Sequence, residues 1–295
     1  MTPVRGDKTD KRLAAVGMLV SCLAAGFLIS IYGFIGYGSS AAWHQFGLEI
    51  LRSDAWAPLG QQPRLGILTM IASTLWCAVG ALLLASPLGV CSAIFLSEVA
   101  PPWVGQLMRP VILLLTGIPS VVYGFLGAAV LVTFFEVKLG MASGESLFCG
   151  SIVLAVMILP YIISGSYHAL QSIPAGYREA ASALGVSEPY AVTRVLLPLV
   201  YKNIAAAIAI AFGRATGETM AVLMLAGNTL TMPDSWFSKG ETLSALIALE
   251  LGSSEAGSLH HQGLFAAGLV LLALVTAINI GVNGWLSPRR EEDGR

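Results

Sequence analysis

The stretch Ser172–Leu199, SIPAGYREAASALGVSEPYAVTRVLLPL, decides how this chain is read. Pro174 is suited to opening a helix, because its fixed φ is already helical and its missing N–H is not needed there. Residues 175–184 are good helix formers, and Gly185 suits the left-handed turn that ends such a helix. Ser187 can cap a second short helix with Pro189 in its first turn. The pattern predicts two short helices joined at a glycine, with a small face made of Ala180, Ala181 and Ala183. Apolar runs flank it on both sides, at 147–169 and 198–226. A polar hairpin is therefore held between two segments long enough to cross a bilayer.

Composition extends that reading to the whole chain. Of 295 residues, 56% are hydrophobic and 11% charged, with mean hydropathy +0.76, whereas soluble domains carry roughly 25% charged residues. The chain is expected to be an all-α membrane protein in contact with lipid. A net charge of −1 gives no reason to expect nucleic acid. Six spans are expected, at 13–37, 66–96, 107–135, 147–169, 198–226 and 263–286. The first is longer than the apolar core of a cleaved signal, so it is read as a retained helix, with cleavage at the SSAA of 39–42 as the lesser alternative. With an even count the termini share a side, and that side then holds eleven of the sixteen Lys and Arg residues, Arg5, Arg289, Arg290 and Arg295 included. The opposite side holds four, which places both termini in the cytoplasm.

Three spans contain proline: Pro87, Pro119 and Pro160. Each is expected to kink its helix by removing a backbone donor. The four cysteines form no CxxC or Cys/His pattern and are read as packing residues, with no metal site or cofactor expected. The segment 241–252 has helical spacing, and a helix on the outer surface is expected there, with a lid over a path as the other reading. His260 and His261 are taken as ordinary solvated residues.

Inside the fifth apolar run lie its only charges, Arg214 and Glu218. Charge at membrane depth is costly and usually functional. Four residues apart on one helix, the two could neutralise each other. Arginine carries a planar fork of donors suited to an oxyanion. Thr216, Thr219 and Asn228 could add neutral hydrogen bonds along a substrate path. Gly213 and Gly217 form a G-x-x-x-G step that would admit a close neighbouring helix. A buried structural pair with no cargo contact, or pairing across a subunit interface, stays open at this point.

The spacing of Glu179-Ala180-Ala181, Gly185 and Val195-Leu196-Leu197-Pro198 resembles the EAA loop of ABC importer permeases, with valine at the isoleucine position. The resemblance implies the permease fold of type I importers (MetI-like) and makes Glu179, Ala180, Ala181 and Gly185 the contact with an ATPase subunit. No GxxxxGK[ST] occurs, so ATP would be bound by another chain. The stretches IFLSEVAPPW (94–103), GIPSVVYGFLG (117–127), GRATGETMAVLMLAGNT (213–229) and SALIALELGSSEAGSLH (244–260) resemble phosphate-specific importer permeases, the C-type more than the A-type. Thr216 and the short loop 136–146 depart from that pattern. The resemblance implies a transport subunit, not an enzyme. Its implied partners are a second, A-type permease, two ATP-binding subunits and an external phosphate-binding protein. It also implies a permease core at 65–288 with a coupling loop at 172–198, after an N-terminal region 1–64 and before a tail at 289–295. Sulfate or molybdate as cargo, and the A-type subunit itself, are the alternatives within the family. A gradient-driven carrier would explain the charges but not the loop spacing. A membrane enzyme is disfavoured, since neither HExxH nor GxSxG occurs.

Overall fold

A computed structural model describes residues 7–286. The tail at 289–295 lies outside the described residues, as do Arg5, Arg289, Arg290 and Arg295. Six helical segments are long and apolar enough to cross a membrane: Leu13–Phe46, Leu68–Val99, Ser120–Leu139, Leu147–Gln171, Glu188–Thr216 and Leu259–Val282. The count expected from sequence stands, while two spans are displaced for identifiable reasons.

The first span belongs to helix α1 (Asp7–Phe46), which a short turn α2 (Glu49–Arg52) and a two-residue ribbon, β1 (Trp56–Ala57) with β2 (Arg64–Leu65), connect to α3 (Leu68–Ile94). The second span continues α3 through a π turn at Phe95–Val99. Next comes α4 (Pro102–Gly117), which does not run on into the third span. Ile118 and Pro119 are extended, and α5 (Ser120–Gly127) starts afresh, leading through a π turn into α6 (Thr133–Leu139). Pro119 is thus not a kink within a span. It disfavours helix at the residue before it and stands at the cap of a new helix. The third span begins at Ser120, not near 107. Pro87 and Pro160 do lie inside helices, α3 and α7 (Leu147–Gln171).

Helices α3 and α7 form the centre of the bundle. Cys77, Ala78, Ala81 and Ala85 of α3 are buried with Leu154, Ile158 and Ile162 of α7. Without water between them, membrane helices associate by close packing, which favours small residues. Gly89 is one such position: a Cβ there would lie 2.7 Å from Ile162 Cγ2. After α7 come α8 (Ala175–Ala183), α9 (Glu188–Ala191) and α10 (Leu197–Thr216). α9 is not a free-standing second helix: a π turn at Val192–Leu196 joins it to α10, and together they make the fifth span.

That span ends ten residues earlier than the apolar run suggested. Beyond Thr216 the chain leaves α10, forms the single turn α11 (Met220–Leu223) and packs it on α5, where a Cβ on Gly124 would lie 3.0 Å from Ala221 Cα. The segment then returns as α12 (Leu243–Glu250) before α13 (Leu259–Leu286) closes the bundle beside α1. A second cluster holds this end together, with Ile67 and Met70 of the α3 entry, Leu243 and Leu246 of α12, and Leu264 of α13 all buried.

Candidate functional site

Two groups of residues carry chemistry, one around the break in the fifth span and one around α8. At the break, Arg214 occupies the last turn of α10, where the helix dipole favours a cation. Its guanidinium lies 4.7 Å from the centroid of the Tyr161 ring, within cation–π range. Tyr161 is near the middle of α7, so Arg214 sits well inside the bundle's depth. It is exposed on this single chain, and no ion pair joins it to Glu218 among the described residues. The expected neutralising pair is absent because the helix that would align the two side chains ends between them. Glu218 bonds backward as a tight turn, its N–H to the Ala215 carbonyl at 3.3 Å, while its own carbonyl accepts from the Ser244 hydroxyl at 2.7 Å.

The remaining residues named from sequence divide by surroundings. Thr216 is buried and its hydroxyl donates to the Gly213 carbonyl at 2.8 Å, so it finishes the helix and does not line an open path. Thr219 is half-buried and its hydroxyl reaches the Gly217 carbonyl at 3.4 Å. Asn228 has φ +43 and donates from Nδ2 to the Leu223 carbonyl at 2.7 Å, while its buried Oδ1 has no partner among the described residues. A Cβ on Gly213 would meet Asn279 of α13 at an ordinary 3.7 Å, and Gly217 touches only its own helix. Within this chain the G-x-x-x-G step is therefore not a tight helix contact. The groove between α7 and the middle of α10 opens into a cavity of about 470 Å³ lined by Tyr161, Gly165, Asn203, Ala206, Ala207 and Ile210.

The segment after the break is not on the surface. Leu243, Ala245 and Leu246 of α12 are fully buried. Thr242 caps the helix by accepting from the Ala245 N–H, and the Leu243 N–H donates to Thr74 Oγ1 at 3.0 Å. The preceding loop caps α7 in turn: the Leu147 and Phe148 N–H groups donate to the carbonyls of Ser238 and Trp236, satisfying donors that a helix start leaves open. Glu241 is 4% exposed. Burial first, and then the like charge of Glu250, push its carboxyl up to about 7. Glu250 itself accepts from Trp56 Nε1 at 2.9 Å and meets His260 Nε2 at 2.7 Å. His260 is buried, contrary to the solvated role expected of it, because Trp56 and Glu250 enclose it.

Around α8 the local reading holds closely. Pro174 stands at the N-cap, and Gly185 adopts φ +68. The Val186 N–H bonds to the Ala181 carbonyl and the Gly185 N–H to the Ser182 carbonyl, a Schellman ending. Of the four residues assigned to the ATPase contact, Glu179, Ala180 and Gly185 are exposed while Ala181 is buried. The outward face also carries Tyr177 and Leu184, 47% and 81% exposed, which sequence reasoning did not single out. Their spacing of seven residues, from the first turn of α8 to its C-cap, was the available signal. The inward face presents Arg178, which pairs with Glu98 at 2.8 Å and was likewise not singled out.

A bundle of six spans, with an inserted helix between the last two and a capped, outward-facing helix between the fourth and fifth, is that of a multi-pass membrane protein. The chain belongs to the family described as the binding-protein-dependent transport system inner membrane component, whose profile matches residues 85–292. It is 37% identical to a probable ABC transporter permease protein, YqgH, of Bacillus subtilis, over 97% of this chain and 92% of that protein. It is 32% identical to the phosphate transport system permease protein PstC of Haemophilus influenzae, covering 90% of this chain and 88% of that one. Among solved structures it resembles the bacterial alginate ABC transporter, at TM-score 0.61 and 17% identity over 95% of this chain and 96% of that one. It also resembles the MetNI methionine ABC transporter in inward-facing form, at TM-score 0.57 and 18% identity over 75% and 94%. These two likenesses establish the fold, which is the MetI-like permease architecture.

Proposed function

We propose that this chain is the permease subunit of an ATP-driven inorganic phosphate importer, of the C-type, embedded with both termini in the cytoplasm of a bacterial cell. Its permease core runs over 65–288, and its coupling loop over 172–198. A second, A-type permease would complete the path, two ATP-binding subunits would hydrolyse ATP, and an external binding protein would deliver phosphate. The cargo reading draws on relatives named as phosphate permeases that match most of the chain. The observation that carries the path is Arg214, a cation at depth that is stacked on Tyr161 yet has no carboxylate partner among the described residues.

Stacking fixes the plane of the guanidinium while leaving its N–H edge free for oxygens. An unpartnered arginine binds an oxyanion without first breaking an ion pair. One fork, without a second cation beside it, also keeps binding weak enough for release. ATP-driven closure of the partner subunits would press on Tyr177, Ala180 and Leu184 of α8.

The test is uptake into proteoliposomes holding the full complex. Arg214→Ala is expected to lose ~10–100-fold of phosphate uptake, the range for removing a charged hydrogen bond, while still assembling with the ATPase. Normal uptake by that variant would remove Arg214 from the path. Wild-type uptake of sulfate or molybdate in place of phosphate would reassign the cargo.

A further inference from the structure

We propose that Arg178 and Glu98 form a strut that makes α8 move as one body with the second and fourth spans, so that a push on α8 opens and closes the bundle. The proposal rests on the reading of α8 as the surface that meets the ATPase.

Three elements meet at the Arg178 guanidinium. Its Nε donates to Glu98 Oε2 at 2.9 Å and its Nη2 to Glu98 Oε1 at 2.8 Å, a two-pronged pair. The same group donates to the carbonyls of Leu170 at 2.9 Å and Ile173 at 3.2 Å, where α7 ends. Glu98 lies in the π turn that finishes the second span, and its side chain is 9% exposed against 31% for Arg178. Ser97 donates to Glu98 Oε1 at 2.6 Å, and Gln171 of α7 donates to Ser97 at 3.0 Å, closing the network.

A two-pronged arginine–carboxylate pair resists rotation as well as separation, whereas a single-point contact pivots. That difference matters for a nine-residue helix in which Ala181 is the one buried residue. The covalent route from α8 to the fifth span passes through Gly185, at φ +68, and three other residues outside any helix, Leu184, Val186 and Ser187. That link can flex. The Arg178 network has no such hinge. Arg178 therefore ties α8 to the second span and stiffens its short covalent link to the fourth, whereas the link to the fifth runs through the glycine turn. Arg178 is a positioning residue: it touches neither ATP nor cargo.

The test uses the complete complex in lipid, with the four cysteines of this chain replaced and spin labels placed at Ser182 and Val99, both exposed. In the otherwise wild-type protein the distance between the labels stays the same when ATP and vanadate trap the closed state. In Arg178→Ala it shifts on trapping, and phosphate taken up per ATP hydrolysed falls about 10-fold, within the range of typical coupling energies, while hydrolysis and co-purification with the ATPase persist. Arg178→Lys keeps the charge without the fork and falls between the two. The exchanged pair Arg178→Glu/Glu98→Arg restores part of the ratio, and it also stands in if the alanine variant fails to assemble by stranding Glu98. A wild-type ratio together with an unchanged label distance in Arg178→Ala overturns the strut. Should the wild-type complex take up no phosphate, the cargo reading falls, and the label distances still decide the strut.

Discussion

Two segments of this chain leave the bundle and return to it, and they solve the same problem in opposite ways. The segment at 172–187 turns Tyr177 and Leu184 outward, buries only Ile173 and Ala181, and is held by one guanidinium on charged and carbonyl oxygens. The segment at 217–258 buries apolar residues within 221–226 and the first turn of α12, leaves Met232 and Phe237 of the loop between them exposed, and is held by backbone and hydroxyl groups: Ser244 on the Glu218 carbonyl, Thr74 under α12, loop carbonyls over the start of α7. The first touches the core at two positions, while the second supplies core along 221–226 and 243–246. Substitutions in the two should therefore separate cleanly, one kind altering coupling and the other altering stability.

The largest effect is expected in the inserted helix. Leu246 is fully buried with Leu243, Ile67 and Met70. Leu246→Ala removes that packing and leaves a cavity, which costs roughly 2–5 kcal/mol. Thermal unfolding in detergent should register the loss, with ATPase co-purification kept at permissive temperature. An unchanged midpoint would mean that α12 is a mobile lid, the reading the sequence also allowed.

A pH effect on the same segment comes next. The Glu241 carboxyl titrates near 7 in the folded chain against its usual 4.5. A folded state that holds the proton more tightly loses stability as pH rises from about 4.5 through about 7, and the loss is complete above that window. Glu250 is the charge facing it, with His260 and Trp56 on Glu250's other side. Glu241→Gln stays uncharged throughout, so its unfolding midpoint should lose this downward slope while the wild type keeps it. Parallel pH profiles for the two proteins would show that Glu241 is solvated.

How much of this was legible in the sequence follows the same division. The capped helix at 175–183 could be read because Pro174 and Gly185 state their backbone geometry locally. The six spans could be read because length and hydropathy suffice. The break after Thr216 could not. GETMAVLMLA is apolar enough to continue a helix, yet α10 is capped at Gly217, the Glu218 carbonyl goes to a distant hydroxyl, Ser244, and the next turn packs over Gly124. The pairing of Arg214 with Glu218 was inferred from a helix that tertiary contacts interrupt. Arg178 and Glu98 are 80 residues apart, and nothing local marks them as partners.

On the other segment, Leu184→Ala should leave the unfolding midpoint unchanged, since the side chain is 81% exposed. It should weaken retention of the ATPase by about 10-fold, as for a central interface anchor losing more than ~1 kcal/mol. Pull-down at graded salt separates this from a charge effect, because an apolar anchor loses the same factor at each ionic strength. Full retention would move the docking surface away from the Tyr177–Leu184 face.

The smallest effect is expected at Gly185, and it bears on whether the loop works as a hinge. At φ +68 an alanine is strained by roughly 1 kcal/mol. No atom lies within 4 Å of where its Cβ would stand, so the cost is conformational and not a clash. Gly185→Asn tolerates the left-handed region better and serves as the control. If the turn only connects, Gly185→Ala should shift hydrogen exchange at Gly185 and Val186 several-fold and leave uptake alone. If the turn carries the stroke to the fifth span, the alanine variant should also slow phosphate uptake at unchanged ATP hydrolysis, with asparagine restoring it. The strut at Arg178 predicts the first outcome, because it gives the stroke a stiffer route through the second and fourth spans. The two substitutions, Gly185→Ala and Arg178→Ala, therefore weigh the two routes against each other in a single assay.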